Sequence, residues 1–248
     1  MPRSGASYRA GLPAERTRVW TPRRRGSTLG LWLRGDAGIT LAGSVVSAWA
    51  DQSGRGNSVS QGTGSKQPAV GSINSRPTVR FAAASAQFLS RDGASGNTGT
   101  LVQGAVAQPT TWYAVVKASS ATAADFVVFD GQATRQLSAI KPVAGTVGMF
   151  AGSGPVYGGS GNTAASVHLY CWVFNGASSA IYVDTMSTPF ASLSPGANAI
   201  NGLIVGAGAS AVLPMDGDIG ELVLIAGADT AAQRAAMKTY LQPRWGTP

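Results

Sequence analysis

The side chains able to do chemistry are few and widely spaced. Glutamate occurs only at Glu15 and Glu221, histidine only at His168 and cysteine only at Cys171. Glycoside hydrolysis needs two carboxylates flanking the scissile bond. The densest acidic grouping is Asp216-Gly217-Asp218-Ile219-Gly220-Glu221. In a regular strand Asp218 and Glu221, three positions apart, point to opposite faces, and Asp216 and Asp218 flank a turn glycine. Turn and edge roles are therefore expected for all three, which disfavours hydrolysis. A serine or thiol nucleophile needs a base. His168 and Cys171 fall on opposite faces of one strand, which excludes a dyad. A single cysteine excludes an intrachain disulfide and a cysteine zinc site, and a single histidine excludes a histidine cluster. The expectation on these grounds is a protein without enzymatic activity.

Three binding constellations remain. Asp51, Ser53 and Asn57 place oxygen ligands at alternating positions of a glycine-rich loop, which suits calcium. Arg55 inside that loop opposes a cation, and an Asx-turn with Asp51 capping its own backbone explains the same residues. Tyr157, in Gly154-Pro155-Val156-Tyr157-Gly158-Gly159, is the candidate for stacking on a sugar ring. Trp112, Tyr170 and Trp172 lie in strand-like segments and are expected in the core. The third constellation is basic: Arg3, Arg9, Arg16, Arg18, Arg23, Arg24 and Arg25. With Arg34 and against Glu15, they place +7 of the chain's net +8 in its first 34 residues. Arginine suits carboxylates and carbonyls at interfaces. The segment lacks the aromatic interleaving of a single-strand binder, so a protein partner is favoured over nucleic acid.

The elements that must position these groups read as short strands. The 248 residues are 44% hydrophobic but only 12% charged, about half the share of an ordinary soluble domain, ~25%. Strand patterns occur at 29–33, 45–49, 111–117, 126–129, 137–140, 147–151 and 218–226, with brief ones at 79–81, 87–89 and 203–205. Residues 51–64 and 153–162 read as loops. The longest strand is 167–175, apolar on both faces as a covered central strand would be. Asn175-Gly176 then turns it into a hairpin with 180–184. One helix is expected over 231–241, capped by Asp229 or Thr230, with Gln233 placed to complete a capping box with Thr230 and Pro243 as its stop. About a dozen strands and one terminal helix make an all-β sandwich. A basic extended arm, 1–28, precedes the domain, 29–248. There is no apolar run of about 20 residues, so no membrane insertion is expected. No secretory signal is recognisable at the start, so synthesis in the cytoplasm is expected.

Taken in order, several stretches resemble a known superfamily. They are Leu31-Trp32-Leu33-Arg34, Trp49-Ala50-Asp51-Gln52-Ser53-Gly54, Gln67-Pro68, Arg76-Pro77, Phe88-Leu89 and Tyr182-Val183-Asp184. The series closes with Gly217-Asp218-Ile219-Gly220-Glu221-Leu222 and Tyr240-Leu241-x-x-Arg244-Trp245-Gly246. Over residues 29–248 this resembles the concanavalin A-like lectin/glucanase superfamily, in particular its laminin-G-like jelly rolls of phage and bacterial surface proteins. The resemblance implies two packed antiparallel sheets in a jelly roll with a closing helix. It also implies a non-enzymatic phage virion protein, a capsid decoration or tail-associated adhesin. The basic arm would dock on capsid or tail proteins, and the jelly roll would face outward, toward a host surface glycan. Low charge suits multi-copy packing, as a trimer or lattice. The alternatives are a carbohydrate-binding module of a bacterial surface protein and a polysaccharide hydrolase.

Overall fold

The structure is a computed structural model, and it describes residues 20–93, 99–119, 124–131, 135–161 and 165–248. Its strands in chain order begin with β1 (Leu29–Arg34), β2 (Ile39–Ala42), β3 (Val45–Trp49), β4 (Val59–Ser60), β5 (Ala69–Ile73) and β6 (Arg76–Phe81). They continue with β7 (Leu89–Ser90), β8 (Thr110–Ala118), β9 (Phe126–Asp130), β10 (Leu137–Lys141), β11 (Thr146–Phe150) and β12 (Val156–Gly158). The last are β13 (Val167–Phe174), β14 (Ser179–Val183), β15 (Ala191–Leu193), β16 (Ile204–Val205) and β17 (Gly217–Ala226), followed by helix α1 (Ala231–Trp245).

Every pairing between these strands is antiparallel. The hydrogen bonds form one chain of neighbours: β12, β11, β10, β9, β16, β7, β4, β3, β5, β6, β17, β8, β13, β14, β15. β1 lies beside β17 next to β6, and β2 extends the β3 edge. The two ends of this path meet. A Cβ on Gly158 of β12 would stand 2.7 Å from the Cβ of Ala191 in β15, so a side chain at 158 would hold the seam open. The fold is therefore all-β and antiparallel with one C-terminal helix, but its strands form a nearly closed, barrel-like sheet. The two separate sheets expected from the sequence are not distinguished, because β16, β7 and β4 bridge what would have been the gap between them.

The interior holds Leu31, Trp49, Phe81, Trp112, Phe129 and Trp172 among many others. Trp112 stacks on Phe129 at 4.0 Å between ring centroids, and Phe129 meets Trp172 edge-on at 5.7 Å. Each buried indole finds an acceptor: Trp49 on the Arg34 carbonyl, Trp112 on Gln136 Oε1 and Trp172 on the Gly148 carbonyl. That satisfaction is what permits so much tryptophan in the core.

Outside the barrel interior the buried apolar positions form two faces on the sheet and a smaller cluster of Phe88, Ile204 and Ala207. On β1, β8, β13 and β17 they include Trp32, Tyr113, Cys171, Val223 and Ile225, and α1 covers them with Met237, Tyr240, Leu241 and Trp245. The capping box forms as expected: Thr230 Oγ1 accepts from the Gln233 amide, and Gln233 Oε1 accepts from the Thr230 amide. Pro243 does not stop the helix. It lies inside the last turn, and Gly246, left-handed at φ 69°, ends the helix with its amide on the Gln242 carbonyl. A proline there forfeits one hydrogen bond near an end that frays in any case. The four residues beyond the expected end carry Trp245 to its place on the sheet.

Candidate functional site

The second outer face belongs to β9, β10, β11 and β12. Cross-strand register aligns Val127, Ala139, Gly148 and Tyr157 in one row. Gly148 leaves a gap in that row, and the Tyr157 ring fills it: a Cβ on Gly148 would lie 2.5 Å from the ring. Leu137 and Phe150 form the next row, and both aromatics pack half-buried against Val127, Leu137 and Ala139. Lys141 Nζ sits 4.2 Å from the centre of the Tyr157 ring and 2.8 Å from Asp125 Oδ2. The Asp125 carboxylate holds the Lys141 ammonium above its ordinary pKa, and burial raises that of Tyr157. The Arg135 guanidinium lies 5.0 Å from the centre of Phe150 and 3.5 Å from Asp130 Oδ2. Two rings, each met by a cation that has its own carboxylate, make an apolar platform with a polar rim. Sites for small polar ligands have this composition.

Asp130 ties the platform to the loop beside it. Its buried carboxylate accepts from the amides of Gly131 and Ala209. Burial pushes its pKa up to about 6, against the opposing pull of those amides and of Arg135. The held loop contains Ser210, Ala211 and Leu213 at φ 65°, 57° and 47°, a left-handed conformation that non-glycine residues adopt only when their surroundings impose it.

Tyr157 thus lies half-buried on a strand and not in a loop. β12 has only three residues between left-handed Gly154 and Gly159, too few to show a period in the sequence. Phe150, Lys141, Asp125 and Arg135 went unnoticed there. Only the strand register brings them beside Tyr157. The alternation Leu137, Ala139, Lys141 was the one signal of an outward face.

The calcium candidates come together, but as a turn. Asp51 Oδ1 accepts from the amides of Trp32 (2.9 Å) and Ser53 (2.8 Å). Its Oδ2 accepts from Ser53 Oγ (2.7 Å) and the Asn57 amide (2.9 Å). Asn57 donates to the Gly30 carbonyl and Gln103 Oε1 and accepts from the Val102 amide. Each of these oxygens accepts from an N–H or O–H donor, an Asx-turn that fastens the loop to β1. Arg55 completes it by donating to the Ser27 and Leu29 carbonyls.

Of the basic segment, Arg3, Arg9, Arg16 and Arg18 lie outside the described residues. Residues 20–28 pack on the body. Trp20 meets Tyr240, Arg23 lies over Trp32, and Arg25 pairs with Asp229, which also accepts from the Tyr113 hydroxyl at 2.7 Å. Arg24 is in the same 3-10 segment, Pro22–Thr28.

The acidic grouping on β17 needs a correction. Asp218 and Glu221 share the outer face, because the register slips between Ile219 and Glu221 at Gly220. A bulge adds one residue and so reverses a spacing-of-three argument. Both carboxylates are engaged. Asp218 takes Thr78 Oγ1 and Arg80, while Glu221, fully buried, takes the indoles of Trp32 and Trp245. Burial raises the Glu221 pKa against those two bonds and Arg244. His168 holds Asp184 through Nδ1 at 2.7 Å. Cys171 lies on the opposite, helix-covered face, where burial raises its pKa.

No protein-family model matches the sequence, and no curated protein matches it. Solved structures do. The Trypanosoma rangeli sialidase in complex with sialic acid aligns with TM-score 0.52 and 12% identity over 90% of this chain and 34% of that one. An arabinofuranosidase complexed with arabinofuranosyl-α-1,2-xylobiose aligns with TM-score 0.58 and 13% identity over 79% of this chain and 50% of that one. Domain 4 of an extracellular arabinanase from Geobacillus stearothermophilus, in complex with arabinotriose, aligns with TM-score 0.55 and 13% identity over 85% of this chain and 98% of that domain. This chain thus spans about a third of the sialidase and half of the arabinofuranosidase. At such identities the likeness is one of fold: a β-rich architecture used by glycoside hydrolases. It overturns the expectation of a non-enzymatic phage virion protein, since these neighbours are carbohydrate-active enzymes or a domain of one, not capsid, decoration or tail proteins.

Proposed function

We propose that the chain is a carbohydrate-recognition module of a carbohydrate-active protein, built on a concanavalin A-like jelly roll, and that sugar binds on the outer face of β9 to β12. The observation that carries this reading is the Tyr157 ring laid over Gly148 beside Phe150, with Lys141, Asp125 and Arg135 around it. Aromatic faces take the apolar face of a sugar ring, and the charged rim supplies donors and acceptors for hydroxyls. The near-complete match to a single enzyme domain in complex with arabinotriose favours recognition as the task of this fold. The test is calorimetric titration of the protein with a panel of oligosaccharides that includes arabinotriose, repeated with Tyr157→Ala and Phe150→Ala. At least one glycan binds, and each substitution weakens it by about tenfold or more, the loss of roughly 1.4 kcal/mol of contact. Binding that survives both substitutions unchanged contradicts the assignment.

A further inference from the structure

We infer that the ligand of this platform is an uncharged glycan, and that the Lys141–Asp125 pair sets this preference. The inference rests on the reading of the β9–β12 face as the sugar site, and it separates two kinds of sugar found among the structural neighbours. Sialic acid carries a carboxylate and arabinotriose does not. Residues 118–167, which contain all four strands of the face, carry only four charged side chains: Asp125, Asp130, Arg135 and Lys141. Residues 185–215, which contain the bordering β15 and β16, carry none. The face is therefore formally neutral, and each of its cations is already matched. Lys141 lies 2.8 Å from Asp125, and Arg135 lies 3.5 Å from Asp130.

An acidic sugar would have to take a cation from its carboxylate and approach that carboxylate as a like charge. Juxtaposed like charges discriminate against a ligand more strongly than a lost contact does. A hydroxyl meets no such barrier. It can accept from Lys141 or Arg135 and donate to Asp125 while both pairs stay closed. The ammonium above the Tyr157 ring is the group an incoming sugar must slide aside to stack. Asp125 already holds that ammonium at 2.8 Å, so access to the ring is governed by the Lys141–Asp125 pair.

The experiment is a side-by-side titration of the full chain at pH 7.5, where Asp130 is ionised. Neutral trisaccharides (arabinotriose, xylotriose, laminaritriose) are compared with acidic ones (trigalacturonate, sialyllactose). The result expected is binding of a neutral trisaccharide at least tenfold tighter than of either acidic one. In Asp125→Asn, which leaves Lys141 unmatched, the ratio shifts toward the acidic sugars by about fivefold, the size of one exposed ion pair. Acidic sugars binding as tightly as neutral ones, or a ratio that Asp125→Asn does not move, overturns the inference and leaves the site standing. Failure of every sugar to bind overturns the inference and the site together.

Discussion

Two of the barrel's apolar outer faces are finished in opposite ways. On β1, β8, β13 and β17 the face is closed by α1, and the carboxylates of Glu221 and Asp229 are engaged internally. Glu221 is spanned by two indoles, and Asp229 by Tyr113 and Arg25. Among the described residues no helix covers β9 to β12. The rings of Phe150 and Tyr157 stay half-buried under cations that belong to short side-chain pairs. The difference teaches where to look for function in a charge-poor protein. Carboxylates on the closed face do structural work however reactive their grouping looks in the sequence. Those on the open face sit beside rings that a ligand could reach.

The comparison breaks first at Trp245. Trp245→Ala removes a buried indole, the partner of Glu221, and the wall against Gly220. It should cost about 3–5 kcal/mol in a denaturant melt. A loss below 1 kcal/mol would mean that α1 is an accessory and not the cover of this face.

On the open side the largest effect is linked to pH. Asp130 titrates at about 6 in the folded chain against an ordinary 3.8. Its contribution is fully present below pH 4 and is lost as pH rises through 6, by about 3 kcal/mol in total. Asp130→Asn has no such slope. Urea unfolding of both proteins between pH 4 and 7.5 should give a stability difference that moves by that amount. A constant difference would show that burial of Asp130 is not the dominant influence on it.

Arg25→Met tests whether the basic segment belongs to the closed face. It strips the buried Asp229 of its guanidinium and should cost about 2 kcal/mol, where an arginine held only for an outside partner would cost nothing. Thr230→Ala removes the cap of α1 and should cost about 1 kcal/mol. Tyr157→Ala should alter stability least, by less than about 1 kcal/mol, because the ring is only half-buried, while it should weaken sugar binding by about tenfold or more.

Much of the closed face was legible in the sequence. The strands at β1, β8, β13 and β17 announce themselves by long apolar runs, and Thr230 with Gln233 marks the helix start. What misled was local. The bulge at Gly220 reverses the faces of Asp218 and Glu221, and the lone glycine inside the strand pattern was its one sign. Pro243 normally ends a helix, but here Trp245 and the Gly246 cap beyond it hold another turn. The open face was nearly invisible. Tyr157 was found for its glycine-rich surroundings, yet what gives it meaning is Gly148 opposite it. Cross-strand partners depend on register, which turns and pairing decide over long distances. The nearly closed barrel escaped for the same reason, since β4, β7 and β16 have two residues each and exist only through their partners.

The central claim is that one outer face is structural and the other binds sugar, and amide and indole NMR shifts report both at once. Titration of the labelled protein with the tightest neutral trisaccharide should move the amides of Gly148, Phe150 and Tyr157 and leave the indole signals of Trp32 and Trp245 in place. Shifts at the two indoles with none across β10 to β12 would contradict the account.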